Sequence, residues 1–263
     1  MIDKKALAKK HFGQNFLQDE FVLERIIQSI PKLSNEVELV EIGAGLGDLT
    51  NKLLSLGNIT AYEVDKELIP YLKKRFNVAL EKGQLKIEFS DVLKAWNTES
   101  LRQKPYFLVS NLPYYIATLL VLKAIKDPLC KGCVVMTQKE VAQKFCASCG
   151  DCDFGALSVL TQSVGNAKML FLVQPEAFIP PPKVTSAVFL IEKTKNVNRD
   201  FLESLEDLLK VAFSAPRKTI ENNLSKKYAK EKVKKVLQEL EIEAKKRPHE
   251  IDIFTYHRLL KFL

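Results

Sequence analysis

No run of about 18 consecutive apolar residues occurs in the 263-residue sequence, which excludes a membrane-spanning helix. The first ten residues lack an apolar core segment and a small-residue cleavage site. No secretory signal is therefore expected, and the protein is expected in the cytoplasm. Internal repeats and low-complexity tracts are also missing, which excludes a repeat array and a compositionally biased chain. In a cytoplasmic chain the five cysteines are not expected to pair as disulfides. What remains is an ordinary globular composition, 46% hydrophobic and 27% charged, long enough for one large domain and one small one.

The charge balance is uneven. The formal net charge is +8 and the sequence pI near 9.1, which favours a polyanionic partner. Residues 192–263 hold 17 Lys/Arg against 12 Asp/Glu, and the leading arm carries Lys4, Lys5, Lys9, Lys10 and His11 against Asp3. Both ends are basic and the middle is nearly balanced. Phosphate contacts are expected from the arm and from Arg217, Lys218, Lys226, Lys227, Lys245, Lys246 and Arg247; these position rather than specify, and weaken steeply with salt.

Hydrophobic periodicity predicts a helix over 19–30, with Asp19 as its cap and Pro31 after it. Strands follow at Glu38–Ile42, Ile59–Val64, Leu85–Phe89, Tyr106–Val109 and Val134–Met136. Helical patterns fall between or behind them at 48–56, 66–76 and 117–125, with another running through Phe145. This alternation predicts a doubly wound α/β sheet, completed by strand-like runs up to Glu192 that include Ala187–Ile191. Residues 193–199 read as a linker. Beyond it every segment is helical in pattern, at 201–213, 219–228, 230–240 and 254–262, so a small all-helical C-terminal domain is expected.

Two turns carry candidate chemistry. Glu41-Ile42-Gly43-Ala44-Gly45-Leu46-Gly47 is a glycine turn between strand and helix, spaced G-x-G-x-G rather than the dinucleotide fingerprint G-x-G-x-x-G. Glu63, at the end of the second strand, can hold both ribose hydroxyls of a nucleoside. Those two features fit either a dinucleotide or S-adenosylmethionine. Glu41 before the turn and Asp91 after the third strand favour the second. An acid at the end of each of three successive strands suits a cationic nucleoside and repels a pyrophosphate. The other turn is Asn111-Leu112-Pro113-Tyr114, behind the fourth strand. The Asn111 amide oxygen and a neighbouring carbonyl can accept from an exocyclic amino group, Pro113 stiffens the turn, and Tyr114 offers a stacking face. Alone, the tetrapeptide is equally an ordinary Asn-x-Pro turn.

Gly13-Gln14-Asn15-Phe16-Leu17, Glu41-Ile42-Gly43-Ala44-Gly45, Tyr62-Glu63-Val64-Asp65, Asp91, Asn111-Leu112-Pro113-Tyr114, Phe178-Ile179-Pro180-Pro181-Pro182-Lys183-Val184 and Pro216-Arg217-Lys218-Thr219 occur in this order. Together they resemble the KsgA/RsmA ribosomal RNA adenine dimethyltransferases, over nearly the whole chain from Lys9. The resemblance implies a Rossmann-like class I methyltransferase sheet over 1–192, with the basic arm in front, and a helical RNA-binding domain over 193–263. It implies a monomer that dimethylates the N6 groups of two adjacent adenosines near the 3′ end of small-subunit rRNA, within an immature 30S particle and away from any membrane. By position, Asn15, Leu17, Gly43, Glu63, Asp91 and Asn111 would contact S-adenosylmethionine. Asn111, Leu112, Pro113 and Tyr114, with Phe178, would hold the target base. Departures from the family pattern are Ala44 in place of proline and Tyr115 in place of a smaller polar residue. Large-subunit rRNA adenine methyltransferases, and RNA-binding assembly or transcription factors without essential catalysis, share parts of the pattern. A DNA adenine methyltransferase would carry an acidic or Asn-Pro-Pro-Tyr turn and a base-reading domain, neither of which is present.

One pattern stands outside the resemblance, which calls for no metal. Cys130-x2-Cys133 and Cys146-x2-Cys149 have the spacing of a four-thiolate zinc site, and a strand followed by a returning helix can bring two such pairs together.

Overall fold

A computed structural model describes residues 7–9, 12–97 and 99–263. Lys10 and His11 of the basic arm, and the residues before Leu7, including Lys4 and Lys5, lie outside the described residues. Two compact units divide the chain. One comprises residues up to Ala142 together with Lys168–Lys193; the other comprises Gln143–Ala167 and Thr194–Leu263.

In the first unit the chain opens with β1 (Phe16–Leu17) and α1 (Glu20–Gln28). Asp19 caps α1, accepting from Val22 N at 3.0 Å. Parallel strands and helices then alternate: β2 (Glu38–Ile42), α2 (Asp48–Leu53), β3 (Ile59–Glu63), α3 (Ile69–Arg75), α4 (Asn77–Glu81), β4 (Leu85–Phe89), α5 (Val92–Ala95), β5 (Tyr106–Asn111), α6 (Tyr114–Lys126) and β6 (Cys130–Gln138). After α7 (Lys139–Cys146) and α8 (Ala156–Val164), the chain adds β7 (Gly165–Val173), β8 (Phe178–Ile179) and β9 (Ser186–Lys193). The main sheet has seven strands in the order β4-β3-β2-β5-β6-β9-β7. β2 to β6 run parallel, and β9 pairs antiparallel with β6. β1 and β8 make a separate antiparallel pair.

β5 shows why the central strands read as unbroken apolar runs. It lies between β2 and β6 and is covered on both faces, so Tyr106, Phe107, Leu108 and Val109 are all buried. β6 is longer than its apolar centre because Lys131-Gly132 interrupts the pattern without breaking the strand. The register against β5 slips there, and a Cβ on Gly132 would fall 2.3 Å from the Ile191 carbonyl oxygen. The order in which strands are added across the sheet reverses between β2 and β5. Open α/β sheets place their ligand crevice at such a switch point, outside the carboxyl ends of the strands.

The second unit contains α8 with α9 (Arg199–Ala212), α10 (Ile220–Leu224), α11 (Lys230–Glu239) and α12 (Ile253–Phe262). Its start is not simply residue 193. Residues 143–167 join it, because α8 is a helix with Val159, Leu160 and Val164 buried, packed against α9 and α12. Ser163 and His257 are hydrogen-bonded at 2.8 Å within this packing. The expectation of strand-like runs through the stretch up to Glu192 therefore fails over 156–164, where a helical face of small and apolar residues packs on α9 and α12. Among the described residues no helix is long and apolar enough to cross a membrane.

Candidate active site

A cavity of about 290 Å³ opens at the switch point. Asn15, Leu17, Gly43, Glu63, Asp91, Asn111, Leu112, Pro113 and Tyr114, drawn from five separate stretches of sequence, all line it. Phe178 does not. It is 2% exposed, faces Leu17 across the β1–β8 pair and belongs to the main core, so as placed here it presents no face to a base.

The glycine turn is held from beneath. Gly43 N and Ala44 N donate to the Tyr62 carbonyl at 2.8 and 3.2 Å, Gly45 N donates to Glu63 Oε2 at 2.7 Å, and Gly47 N donates to the Ala44 carbonyl at 2.8 Å. These donors therefore face the protein and not an anion, which argues against a pyrophosphate cradle. Gly45 is required for close approach: its φ is +59°, and a Cβ there would lie 3.2 Å from the Phe16 ring.

Acids dominate the polar lining. Glu63 is 4% exposed, and its second oxygen, Oε1, accepts from Asp65 N at 2.8 Å. Burial raises its carboxyl above the ordinary value despite those two backbone donors. Asp91 caps α5, accepting from Leu93 N at 2.9 Å. Glu41, on β2, is 2% exposed and accepts from Thr50 Oγ1 at 2.6 Å. Burial pushes it up to about 8; the Thr50 bond opposes this and the charges of Glu63 and Asp48 add to it. Its folded pKa lies above the ordinary 4.5, so the folded protein binds this proton more tightly than the unfolded chain. The contribution to stability is consequently full below pH 4.5 and is lost as pH rises towards 8. Glu41→Gln is expected to raise the thermal midpoint at pH 8 and to change it little at pH 4.5; equal shifts at both would remove this account.

At the other wall, Asn111 ends β5 and Pro113 stands just before the first turn of α6. Asn111 Nδ2 donates to the Asn15 carbonyl at 3.1 Å. Because a carbonyl can only accept, this bond directs the amide nitrogen to the arm and leaves Oδ1 for the cavity. Leu112 N donates to the Met136 carbonyl at 3.1 Å, tying the turn to β6. Tyr114 is half-buried, and its hydroxyl is hydrogen-bonded to the buried Ser186 on β9, which fixes its ring. Tyr115 is 62% exposed at the rim, and its ring lies 3.2 Å from where a Cβ on Gly13 would stand.

The structure adds residues that motif reading had not given a role. Phe12 and Gln14 also line the cavity, and Asp65 is buried beside it. Asp65 accepts from Lys9 Nζ at 2.6 Å and Gln14 Nε2 at 3.1 Å. Burial alone would raise its carboxyl, but these bonds and the Glu67 amide outweigh it and hold it below the ordinary value. Lys9 is therefore paired with acids, reaching Glu67 at 3.0 Å as well, rather than extended towards a phosphate. The exposed Lys226 donates to Ser214 Oγ at 2.9 Å, and the exposed Lys245 pairs with Glu243 at 3.3 Å.

The four-thiolate reading gains no support. Among the described residues no three or more His, Cys, Asp or Glu side chains group as metal ligands. Cys130 and Cys133 are buried in β6, where Cys130 Sγ donates to the Gly132 carbonyl at 3.4 Å, and burial pushes its thiol up to about 11, against the thiolate form that a metal needs. Cys149 is exposed, with its sulfur 3.7 Å from the His249 carbonyl oxygen.

Acids closing the first three parallel strands, around a glycine turn whose donors are already engaged, place the chain among the class I S-adenosylmethionine-dependent methyltransferases. Comparison with solved structures agrees. A dimethyladenosine transferase from Plasmodium falciparum superposes with a TM-score of 0.77 at 28% identity, covering 94% of this chain and 97% of that one. The 23S rRNA methyltransferase ErmE shares the fold, with a TM-score of 0.72 at 23% identity, covering 95% and 99%. The family model described as ribosomal RNA adenine dimethylase matches residues 5–263. Proteins named ribosomal RNA small subunit methyltransferase A are similar throughout. That of Sulfurimonas denitrificans is 48% identical, covering 98% of this chain and 94% of its own, and that of Campylobacter jejuni is 47% identical, covering 96% and 93%. The chain belongs to the ribosomal RNA adenine dimethylase family.

Proposed function

We propose that the protein transfers methyl groups to the N6 amino groups of two adjacent adenosines in the 3′-terminal hairpin of small-subunit rRNA, two on each. In this reading it works as a cytoplasmic monomer on an immature 30S particle, and residues 194–263 with their basic side chains serve as an RNA-binding unit. Names and identities of the relatives support the substrate. The observation that carries the reaction is the Asn111 amide in the wall of an acid-lined cavity, its nitrogen donating to the Asn15 carbonyl so that its oxygen is left to accept.

S-adenosylmethionine supplies an electrophilic methyl group on a cationic sulfur. Glu63 holds its ribose hydroxyls, Asp91 its adenine amino group, and Glu41 balances its positive charge. Gly43, Asn15 and Leu17 shape the wall around it. The lone pair of an adenine amino group is delocalised into the ring. Asn111 Oδ1 and the Leu112 carbonyl accept its two hydrogens, make the nitrogen pyramidal and turn the lone pair towards the methyl group. Tyr114, fixed by Ser186, stacks on the flipped base, a contact worth about 1–3 kcal/mol. Positioning supplies most of the rate, and no strong base is needed, since the proton leaves an already cationic amine.

Two measurements test this. Labelled methyl transfer is expected onto immature small subunits, and not onto duplex DNA or intact large subunits; transfer to large subunits would overturn the substrate. Binding the cation should draw the proton from Glu41, so calorimetry at pH 7 in two buffers of different ionisation enthalpy should show release of about one proton. Release that persists in Glu41→Gln would assign it elsewhere.

A further inference from the structure

We infer that Lys9, Gln14 and Asp65 form a latch whose function is to position the Asn111 amide, and that they are positioning residues for methyl transfer. The inference rests on the role proposed for Asn111. Asp65 lies two residues beyond Glu63, is 2% exposed, and takes three donors: Lys9 Nζ and Glu67 N on Oδ1, at 2.6 and 3.0 Å, and Gln14 Nε2 on Oδ2, at 3.1 Å. Gln14 is in turn locked to Lys9, whose backbone N–H donates to Gln14 Oε1 at 2.8 Å. Phe12 N and Gln14 N donate to the Lys9 carbonyl at 3.2 and 3.4 Å. Lys9 and Gln14 are thereby tied to each other and pinned to the loop after β3.

The next residue makes the second attachment. Asn15 offers its carbonyl to Asn111 Nδ2, while its own side chain donates to the Gly13 carbonyl at 3.3 Å. Consecutive residues 14 and 15 therefore bridge two strand ends, the acid turn after β3 and the Asn111 turn after β5. A carboxamide is nearly symmetric in shape, and rotation by half a turn would present N–H groups to an exocyclic amino group that itself donates. The Asn15 carbonyl forbids that rotation only while it stays in place. On the other side it is held by β1 pairing with β8, two residues per strand. Gln14 and Lys9 supply the remaining restraint, and Asp65, already bonded through its N–H to Glu63 Oε1, joins it to the acid that lines the nucleoside wall.

The test compares Lys9→Met, Lys9→Arg and Gln14→Leu in the full-length protein. In Lys9→Met and Gln14→Leu, hydrogen exchange of the Asn111 side-chain amide, followed by NMR on asparagine-labelled protein without substrate, is expected to speed up about tenfold. At saturating donor and rRNA, kcat is expected to fall about ten- to a hundredfold, since small displacements of a positioned group cost that much. Lys9→Arg should restore both readouts. Unchanged amide exchange and kcat, with only the KM for rRNA raised, would overturn the latch and make Lys9 a phosphate contact. Should Asn111→Ala retain full kcat, the reading of Asn111 fails instead, and the exchange measurement still reports whether the latch holds its amide.

Discussion

Asn111→Ala is expected to lower kcat for methyl transfer by about a thousandfold or more, while binding of S-adenosylmethionine weakens but survives. The asymmetry follows from what the side chain touches. Asn111 contributes one of many groups lining the cavity, so its loss removes a small part of the donor's contacts. The other two carboxamides that line the cavity are tied elsewhere and do not replace this acceptor: Gln14 is bonded to Lys9 and Asp65, and Asn15 donates to the Gly13 carbonyl. Single-turnover methylation with saturating donor, paired with calorimetric binding, separates the two effects. Normal turnover in the variant would refute the mechanism. Asn111→Asp is expected to be nearly as inactive. A carboxylate cannot donate to the Asn15 carbonyl and would be repelled by it, so the side chain swings away from its position.

Asp127→Ala is expected to cost about 3–5 kcal/mol of stability without altering the cavity. Asp127 follows α6 and is 1% exposed. Its Oδ2 accepts from Trp96 Nε1, Leu101 N and Tyr106 OH, at 3.1, 2.8 and 2.8 Å. Its Oδ1 accepts from Ser100 Oγ, Leu129 N and Cys130 N, at 2.8, 2.8 and 3.3 Å. Lys193 Nζ donates to the Asp127 and Ala124 carbonyls at 2.6 and 3.2 Å, closing the end of α6. One carboxylate thus satisfies the loop before β5, the strand itself and the turn into β6. Removing it strands several buried donors at once. A fall in the thermal midpoint of roughly 10 °C is expected, with activity per folded molecule retained in the cold, because Tyr106 and Cys130 start their strands and the cavity lies at the opposite ends. A shift of less than roughly 2 °C would show that solvent or rearrangement replaces the network.

The sheet was readable because its signals are local. Strands β2 to β5 are short apolar or alternating segments bounded by turn residues, and the helical spacing over 48–56 and 66–76 marks α2 and α3; α4 and α5, five and four residues long, are too short to show a period. The acids Glu41, Glu63 and Asp91 were visible for the same reason, since each sits within two residues of a strand end that periodicity marks. Where the reading erred, pairing at a distance was the cause. Phe178 precedes three prolines and looks free, yet its strand closes on Leu17 and buries the ring. Residues 156–164 fall within the stretch up to Glu192 in which strand-like runs are expected. They form α8 because α9 and α12 supply a surface that a helix fits. The basic arm looks like a single charged feature, but Lys9 belongs to Asp65, 56 residues away.

Order of elements, the chemistry at each strand terminus and the family were therefore inherent in the linear chain, since they depend on side-chain type and near-neighbour spacing. Which donor meets which acceptor was not. The Asn111 amide takes its orientation from a backbone carbonyl 96 residues earlier, and no spacing rule along the chain encodes a contact that exists only once the arm has folded across two strand ends.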